Sequence, residues 1–203
     1  MDTLRVFVAI ELPDDVKRVV ADAIDSLRRA RIDNLRLVRP EGVHLTLKFL
    51  GDIGVDRVPV VKDAMAQAVA AFSSKRRSDN APNAPFCLTL GTTGVFPNAN
   101  RARVLWVGVD GDMPALRSLQ VQVEDALIAA GFSATQQQRF NPHLTVGRMH
   151  HRASRADRQF ATDALSALQL PTTRIIAVNG ISLMRSTLLP GGAKYDRIAH
   201  ADL

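Results

Sequence analysis

VHLTLKFL, at residues 43–50, and PHLTVGR, at residues 142–148, are the two stretches that say most about how this chain folds. Each contains histidine, leucine, threonine and an aliphatic residue in the same order. Because side chains along a strand point alternately to opposite faces, each stretch predicts a strand with one apolar side on a core. The opposite side then presents one imidazole and one hydroxyl. These four polar side chains are His44, Thr46, His143 and Thr145.

The same alternation assigns the neighbouring residues to faces. Lys48 falls on the side of His44, so we expect it to bind phosphate, whereas Phe49 falls on the core side. Arg148 also falls on the core side of its strand. It becomes a phosphate-binding candidate if the strand ends or bends at Gly147.

The repeated motif suggests acid–base chemistry. An imidazole has an ordinary pKa of about 6.5, so it can donate or accept a proton near neutrality. If the two strands lie side by side, one histidine can activate water and the other can protonate a leaving oxygen, each typically worth about 10²–10⁴-fold in rate. The threonine hydroxyls can donate hydrogen bonds to phosphate oxygens. Phosphodiester cleavage needs all of these groups. The alternative is two ordinary strand histidines bonded to nearby backbone, but the repetition among only five histidines favours the chemical interpretation.

Composition narrows the class of protein. The chain has 203 residues and a net charge of +6, and a basic surface favours phosphorylated or polyanionic partners. Its single cysteine, Cys87, excludes an internal disulfide and predicts a cytoplasmic protein with a buried, unreactive thiol. No run reaches the roughly 18 apolar residues of a membrane span, so we expect no membrane association.

Strand and helix patterns alternate along the whole chain, and the second half repeats the order of the first. We therefore predict an α+β (α/β-like) fold in a single bilobal domain, residues 1–203, with a pseudo-two-fold relation between the halves. Strands are expected near 4–10, 43–50, 86–96, 103–110, 142–149, 174–186 and 193–199. Helices are expected near 14–27, 56–72, 113–130 and 153–168, with a basic loop at 73–85.

Other motifs are missing from the sequence. It has neither G-x-x-x-x-G-K nor G-x-G-x-x-G, so an ATP-dependent ligase with a phosphate loop is not supported. His150 and His151 are adjacent, but they lack the spacing to an acid or to cysteines that metal sites show. We therefore expect no cofactor and no metal.

The sequence resembles the two-histidine phosphoesterase superfamily, which is defined by two H-x-T-x motifs. Within it, the chain is similar to the bacterial and archaeal RNA 2′,3′-cyclic phosphodiesterases, also called 2′-5′ RNA ligases. The similarity runs nearly end to end. The matching segments are RVFVAIELPDDV (5–16), RPEGVHLTLKFLGD (39–52), GVFPNANRARVLWVGV (94–109), RFNPHLTVGR (139–148) and SLMRSTLLPGGAKYDRIA (182–199).

The resemblance implies two lobes whose antiparallel sheets flank a central cleft, with helices outside and no metal. It implies hydrolysis of RNA 2′,3′-cyclic phosphate ends to 2′-phosphomonoesters, and any 2′-5′ RNA ligation would be the reverse chemistry. His44 would be the proton donor and His143 the proton acceptor. Thr46 and Thr145 would bind the phosphate.

Leu37 departs from the family pattern, which often has an aromatic residue at this place. If Leu37 lines the base pocket, stacking on the base is weaker, and Arg39 could contribute a phosphate contact instead. Tyr195 is a further candidate at the cleft. The expected partners are RNA or nucleotide ends with a 2′,3′-cyclic phosphate, bound by a monomer. The alternatives are a nucleotide- or RNA-end-binding module with little catalysis, and a phosphodiesterase for 2′-5′-linked oligonucleotides or small cyclic nucleotides.

Overall fold

The computed structural model describes residues 2–78, 85–135, 140–171, 174–190 and 192–203. Over these residues the chain forms nine strands and four α-helices. The strands are β1 (Thr3–Glu11), β2 (Leu35–Leu37), β3 (His44–Gly54), β4 (Phe86–Phe96), β5 (Val104–Gly111), β6 (His143–Met149), β7 (Ile175–Val178), β8 (Gly180–Leu189) and β9 (Gly192–Asp202). The helices are α1 (Asp14–Arg29), α2 (Val58–Ser78), α3 (Met113–Ala129) and α4 (Arg155–Ser166).

The strands form one antiparallel sheet in the order β7-β4-β5-β6-β3-β1-β8-β9, and β2 pairs additionally with β6. The two motif strands, β6 and β3, are therefore neighbours at the centre, with three further strands on each side. They share a single register pair, Leu45 opposite Leu144. Helices and an antiparallel sheet in one fold confirm the predicted α+β class.

The sheet is curled, because the consecutive strands β7 and β8 lie near opposite ends of the strand order. β7 pairs with β4 at one end of the strand order, and β8 pairs with β1 and β9 near the other end. Only Asn179 separates β7 from β8. The far edges of the two halves therefore approach one another at Asn179, and the strands curve around an open face.

The helices cover the other face and cross between the halves. α1 follows β1 but contacts β6 and β2, and α3 follows β5 but contacts β3. α1 buries a stripe at helical spacing, which is the pattern that packs a helix on a sheet. Its buried residues are Val16, Val20, Ala23, Ile24 and Leu27. In the part of the chain that the structure describes, no helix is both long and apolar enough to cross a bilayer.

Two predicted segments differ from the structure. The first part of the loop expected at 73–85 is helical instead, because α2 continues to Ser78, and residues 79–84 lie outside the described ranges. Lys75, Arg76 and Arg77 occupy the last turn of α2, where positive charge interacts favourably with the helix dipole. The strand expected at 174–186 is divided at Asn179 into β7 and β8.

The prediction of a buried thiol is wrong, because Cys87 is exposed. Phe86 and Leu88 on β4 are buried, and Cys87 between them points to the opposite face. The local apolar composition of this segment suggested burial, but the alternation along the strand decides it.

Candidate active site

The open face at the centre of the sheet holds a cavity of about 460 Å³. His44 begins β3 and His143 begins β6, and the register of Leu45 opposite Leu144 sets the two motifs side by side. The aliphatic residues between them are buried against the helices, as the alternation predicted. The structure therefore brings the four predicted polar residues of the motifs into the lining of one cavity. These are His44, Thr46, His143 and Thr145.

Both imidazoles are held through Nδ1 by a backbone carbonyl two residues earlier. The separation is 2.6 Å from His44 Nδ1 to the Gly42 oxygen and 2.8 Å from His143 Nδ1 to the Asn141 oxygen. A carbonyl oxygen can only accept, so Nδ1 of each ring carries the proton and donates it. This fixes the tautomer of each neutral ring and leaves Nε2 available for a substrate.

Aromatic rings hold the two imidazoles in place. The His44 ring stacks on Phe7 with centroids 4.4 Å apart, and the edge of Tyr195 meets it at 4.9 Å. Tyr195 thus lines the cavity beside His44. On the other side, His143 meets Phe96 edge-on at 5.0 Å.

Tyr195 also explains the glycine at position 42. A Cβ atom there would lie 2.9 Å from Cδ2 of the tyrosine ring, closer than the contact distance of two carbons. Gly42 therefore allows the Tyr195 ring to pack against the backbone that holds His44.

Burial favours the neutral form of both histidines. It lowers the pKa of His44 to about 4, against the hydrogen bond to Gly42, with His143 and Arg148 lowering it further and Glu11 raising it. The pKa of His143 is lowered by burial, against the hydrogen bond to Asn141, and Arg148 lowers it further. In the free cleft, both rings are therefore ready to accept a proton at neutral pH.

The lowered pKa of His44 predicts acid sensitivity. The unfolded chain protonates this imidazole below pH 6.5 and the folded chain only near pH 4, so folding stability falls as the pH drops between these values. By pH 5 the loss amounts to about 2 kcal/mol, at about 1.4 kcal/mol per pH unit. Denaturant unfolding at pH 8 and pH 5 should show this loss in the wild type and not in His44→Gln. The exposed His151, changed to Gln, should leave the wild-type difference intact; an equal difference in His44→Gln would contradict the prediction.

Arg148 lines the cavity, so its predicted place on the core side of β6 is wrong. Val146 and Gly147 are both buried, and the pairing of β6 with β5 is irregular at this point. Two consecutive residues pointing inward make a bulge, which returns Arg148 to the face of His143. A Cβ atom on Gly147 would lie 3.0 Å from Leu35, which explains the glycine.

Lys48 does not line the cavity, so its predicted role in phosphate binding is wrong. It is only 3% exposed, and its Nζ lies 2.7 Å from Glu124 Oε1 on the helix-covered side. The register of β3 against β1 shifts between Lys48 and Thr46, which leaves Leu47 without a partner. Leu47 and Lys48 therefore both point inward, and Phe49 turns to the open face, where it is 66% exposed and lines the cavity.

Several lining residues were missed or only partly anticipated from the sequence. Arg5 and Arg36 line the cavity together with Leu37 and Arg39, and Arg36 stands opposite Arg148 in the pairing of β2 with β6. β2 has only three residues, fewer than the four to eight whose alternation predicts a strand. Among the described residues, no aspartate or glutamate lines the cavity. An arginine-rich lining of this kind favours a phosphorylated ligand.

Some candidates lie elsewhere. The rings of His150 and His151 are 4.1 Å apart and do not line the cavity. Within the described ranges, histidine, cysteine and carboxylate side chains form no group of three that could hold a metal ion.

A central pair of H-x-T-x strands facing one cleft is the arrangement of the two-histidine phosphoesterases. A family model, described as the 2′-5′ RNA ligase superfamily, matches residues 13–187. That range is most of the chain, and the chain belongs to this superfamily.

Relatives that match most of the chain share the name RNA 2′,3′-cyclic phosphodiesterase. The protein of Methanothermobacter thermautotrophicus is 28% identical over 192 residues, which cover 95% of each chain. The protein of Aquifex aeolicus is 31% identical over 158 residues, which cover 78% of this chain and 76% of the relative.

Solved structures have the same fold. A protein of Thermus thermophilus superposes with a TM-score of 0.67 at 25% identity, covering 98% of both chains. E. coli LigT, crystallised with 3′-AMP, superposes with a TM-score of 0.65 at 22% identity, covering 100% of this chain and 99% of LigT.

Proposed function

We propose that this protein is a metal-independent phosphodiesterase that opens the 2′,3′-cyclic phosphate at RNA ends and leaves a 2′-phosphomonoester. The observation that carries the proposal is the placement of both imidazoles in one cavity, each held through Nδ1 with Nε2 available. The names of the relatives supply the substrate class.

The reaction requires one base and one acid. In the proposed step, His143 Nε2 takes a proton from water as the water oxygen bonds to phosphorus. The bond from phosphorus to the 3′ oxygen breaks, and protonated His44 gives its Nε2 proton to that oxygen. Water is thereby added across one P–O bond, and the 2′ ester remains. Thr46, Thr145 and Arg148 would bind the phosphate oxygens, whose charge grows in the transition state.

The shape of the cavity supports His44 as the acid. Its lining comes from β1, β3, β8, β9 and the segment around β2, while β6 supplies only His143, Thr145 and Arg148. There is therefore room for a nucleoside on the side of His44. In an in-line displacement, the water attacks from the side opposite the leaving oxygen, and the leaving oxygen belongs to the nucleoside. The water would then lie on the side of His143.

The low pKa of His44 in the free cleft opposes an acid role until substrate is bound. A bound phosphodiester carries a negative charge, and an opposite charge within a few ångströms favours the imidazolium. That interaction is strongest for the more deeply buried ring, because water screens it least there. Substrate binding would therefore raise the pKa of His44.

An RNA oligonucleotide ending in a 2′,3′-cyclic phosphate, incubated in EDTA, tests the proposal. We expect complete conversion to the 2′-phosphate, identified by phosphorus NMR against 2′- and 3′-phosphate standards. A 3′-phosphate product, or loss of turnover on chelation, would contradict the proposed mechanism. Binding without turnover over hours would instead favour a sensor of RNA ends. Faster cleavage of 2′-5′-linked oligonucleotides would instead make these the preferred substrates.

A further inference from the structure

The two motif strands pair with each other over a very short length. β3 and β6 share one register pair, whereas β3 and β1 share nine. The proposed chemistry needs both imidazoles on one phosphorus, and a misplacement of about 1 Å can reduce the rate about 100-fold. The spacing of the histidines therefore requires support from outside the sheet.

Lys48 lies directly behind the first motif and supplies a connection there. Its buried ammonium donates to Glu124 Oε1 at 2.7 Å, to the Ser133 carbonyl at 2.9 Å and to Thr135 Oγ1 at 3.2 Å. Glu124 in turn accepts from the Thr135 backbone N–H at 2.6 Å and from its hydroxyl at 2.7 Å. All three ammonium hydrogens and both carboxylate oxygens have partners within this cluster.

The cluster joins the two halves of the molecule. Lys48 belongs to β3, Glu124 to the helix that follows β5, and Thr135 to the connection that leads to His143 eight residues later. Lys48 is thus hydrogen-bonded to Ser133 and Thr135, which lie shortly before the second motif in the sequence. The position in β6 that corresponds to Lys48 is Gly147, which has no side chain to make the reciprocal bond.

The hydrogen bonds of the cluster favour the ionised carboxylate of Glu124. Burial alone would raise the pKa of Glu124, but hydrogen bonds from Lys48 and Thr135 hold it below its ordinary value. A buried ion pair often contributes little stability compared with well-packed apolar side chains, whereas its directional bonds fix one geometry. Geometry is therefore the better reason for an ammonium at this position.

We propose that Lys48, with Glu124 and Thr135, is a positioning cluster that sets the separation of His44 and His143 without touching the substrate. This inference rests on the proposed function, in which both histidines act on one phosphate. It assigns to Lys48 a role behind the sheet in place of the direct phosphate contact expected from the motif.

The decisive variant is the double change Lys48→Met and Glu124→Met, which replaces the ion pair by apolar side chains of similar length. We expect a thermal midpoint close to that of the wild type, inorganic phosphate bound about tenfold more weakly, and kcat lowered about 100-fold. The pH limbs of kcat/KM should stay in place, because the cluster does not face the cleft. Lys62→Met, at an exposed position of α2, is the control and should change none of these.

A double variant with wild-type phosphate affinity would overturn the proposal. If the double variant does not fold, Thr135→Val decides: it keeps the ion pair but removes the hydroxyl, and unchanged phosphate affinity would then overturn the proposal. Phosphate binding, followed by NMR of the histidine rings, needs no turnover. A wild type that binds phosphate but does not cleave RNA ends would thus count against the proposed function alone.

Discussion

His44→Ala and His143→Ala are each expected to lower kcat by about 10²–10⁴-fold, because each removes one of the two proton transfers. The double variant should be little slower than either single variant, since the groups act as a unit. The pH profiles distinguish the roles. Loss of the acid removes the decline at high pH, and loss of the base removes the decline at low pH, so His44→Ala should lose the former and His143→Ala the latter.

A substrate analogue with sulfur in place of the 3′ oxygen sharpens this assignment. A thiolate leaves without an acid because its conjugate thiol has a pKa near 8.5, far below that of an alcohol. The analogue should therefore restore much of the rate of His44→Ala and leave His143→Ala slow. Restoration of His143→Ala instead would exchange the two roles.

Arg148→Met is expected to lower kcat/KM by about 10²–10³-fold, because a guanidinium facing the phosphate stabilises charge that grows in the transition state. Arg148→Lys should recover part of the rate, since a lysine keeps the charge but not the planar pair of donors. Arg103→Met, an exposed residue next to the β5 position that pairs with Arg148 and outside the cavity lining, is the matched control.

Arg148→Met should also change the pH dependence of kcat/KM, which a purely structural defect would not do. Arg148 lowers the pKa of both His44 and His143, so its removal raises both values. The kcat/KM profile of Arg148→Met should therefore move to higher pH. An unmoved profile, or a loss of rate shared by Arg103→Met, would show that Arg148 does not act at the histidines.

The sequence predicted the placement of the four motif residues correctly because strict alternation holds over the first four positions of each motif. The alternation predicted the wrong face for the next position in both strands. Lys48 in β3 and Gly147 in β6 stand where a bulge adds a second inward residue, so the residue after each one turns back to the cleft. A bulge is a property of the pairing with the neighbouring strand, and a single strand's pattern does not contain it. Gly147 was the one residue whose type indicated, from the sequence, that a strand could change direction here.

The residues that line the cavity outside the two motifs were harder to predict from the sequence. Arg5 and Arg36 carry no motif, and they reach the cavity through the pairing of β1 with β3 and of β2 with β6. Such pairings join residues far apart in sequence, so they depend on the completed topology. Leu37 is a different case, because its departure from the family pattern singled it out in the sequence, and the structure puts it in the lining.

The crossing of the helices affects how the molecule assembles during synthesis. α1 leaves the ribosome long before β6, the strand that it covers, and β3 is complete well before α3 arrives to cover it. β3 thus waits for α3, and α1 waits for β6, so each waits for a partner encoded in the opposite half of the gene. The paired imidazoles come together only after the nascent chain has passed residue 143, and a fragment truncated before α3 would retain one motif with its apolar side uncovered.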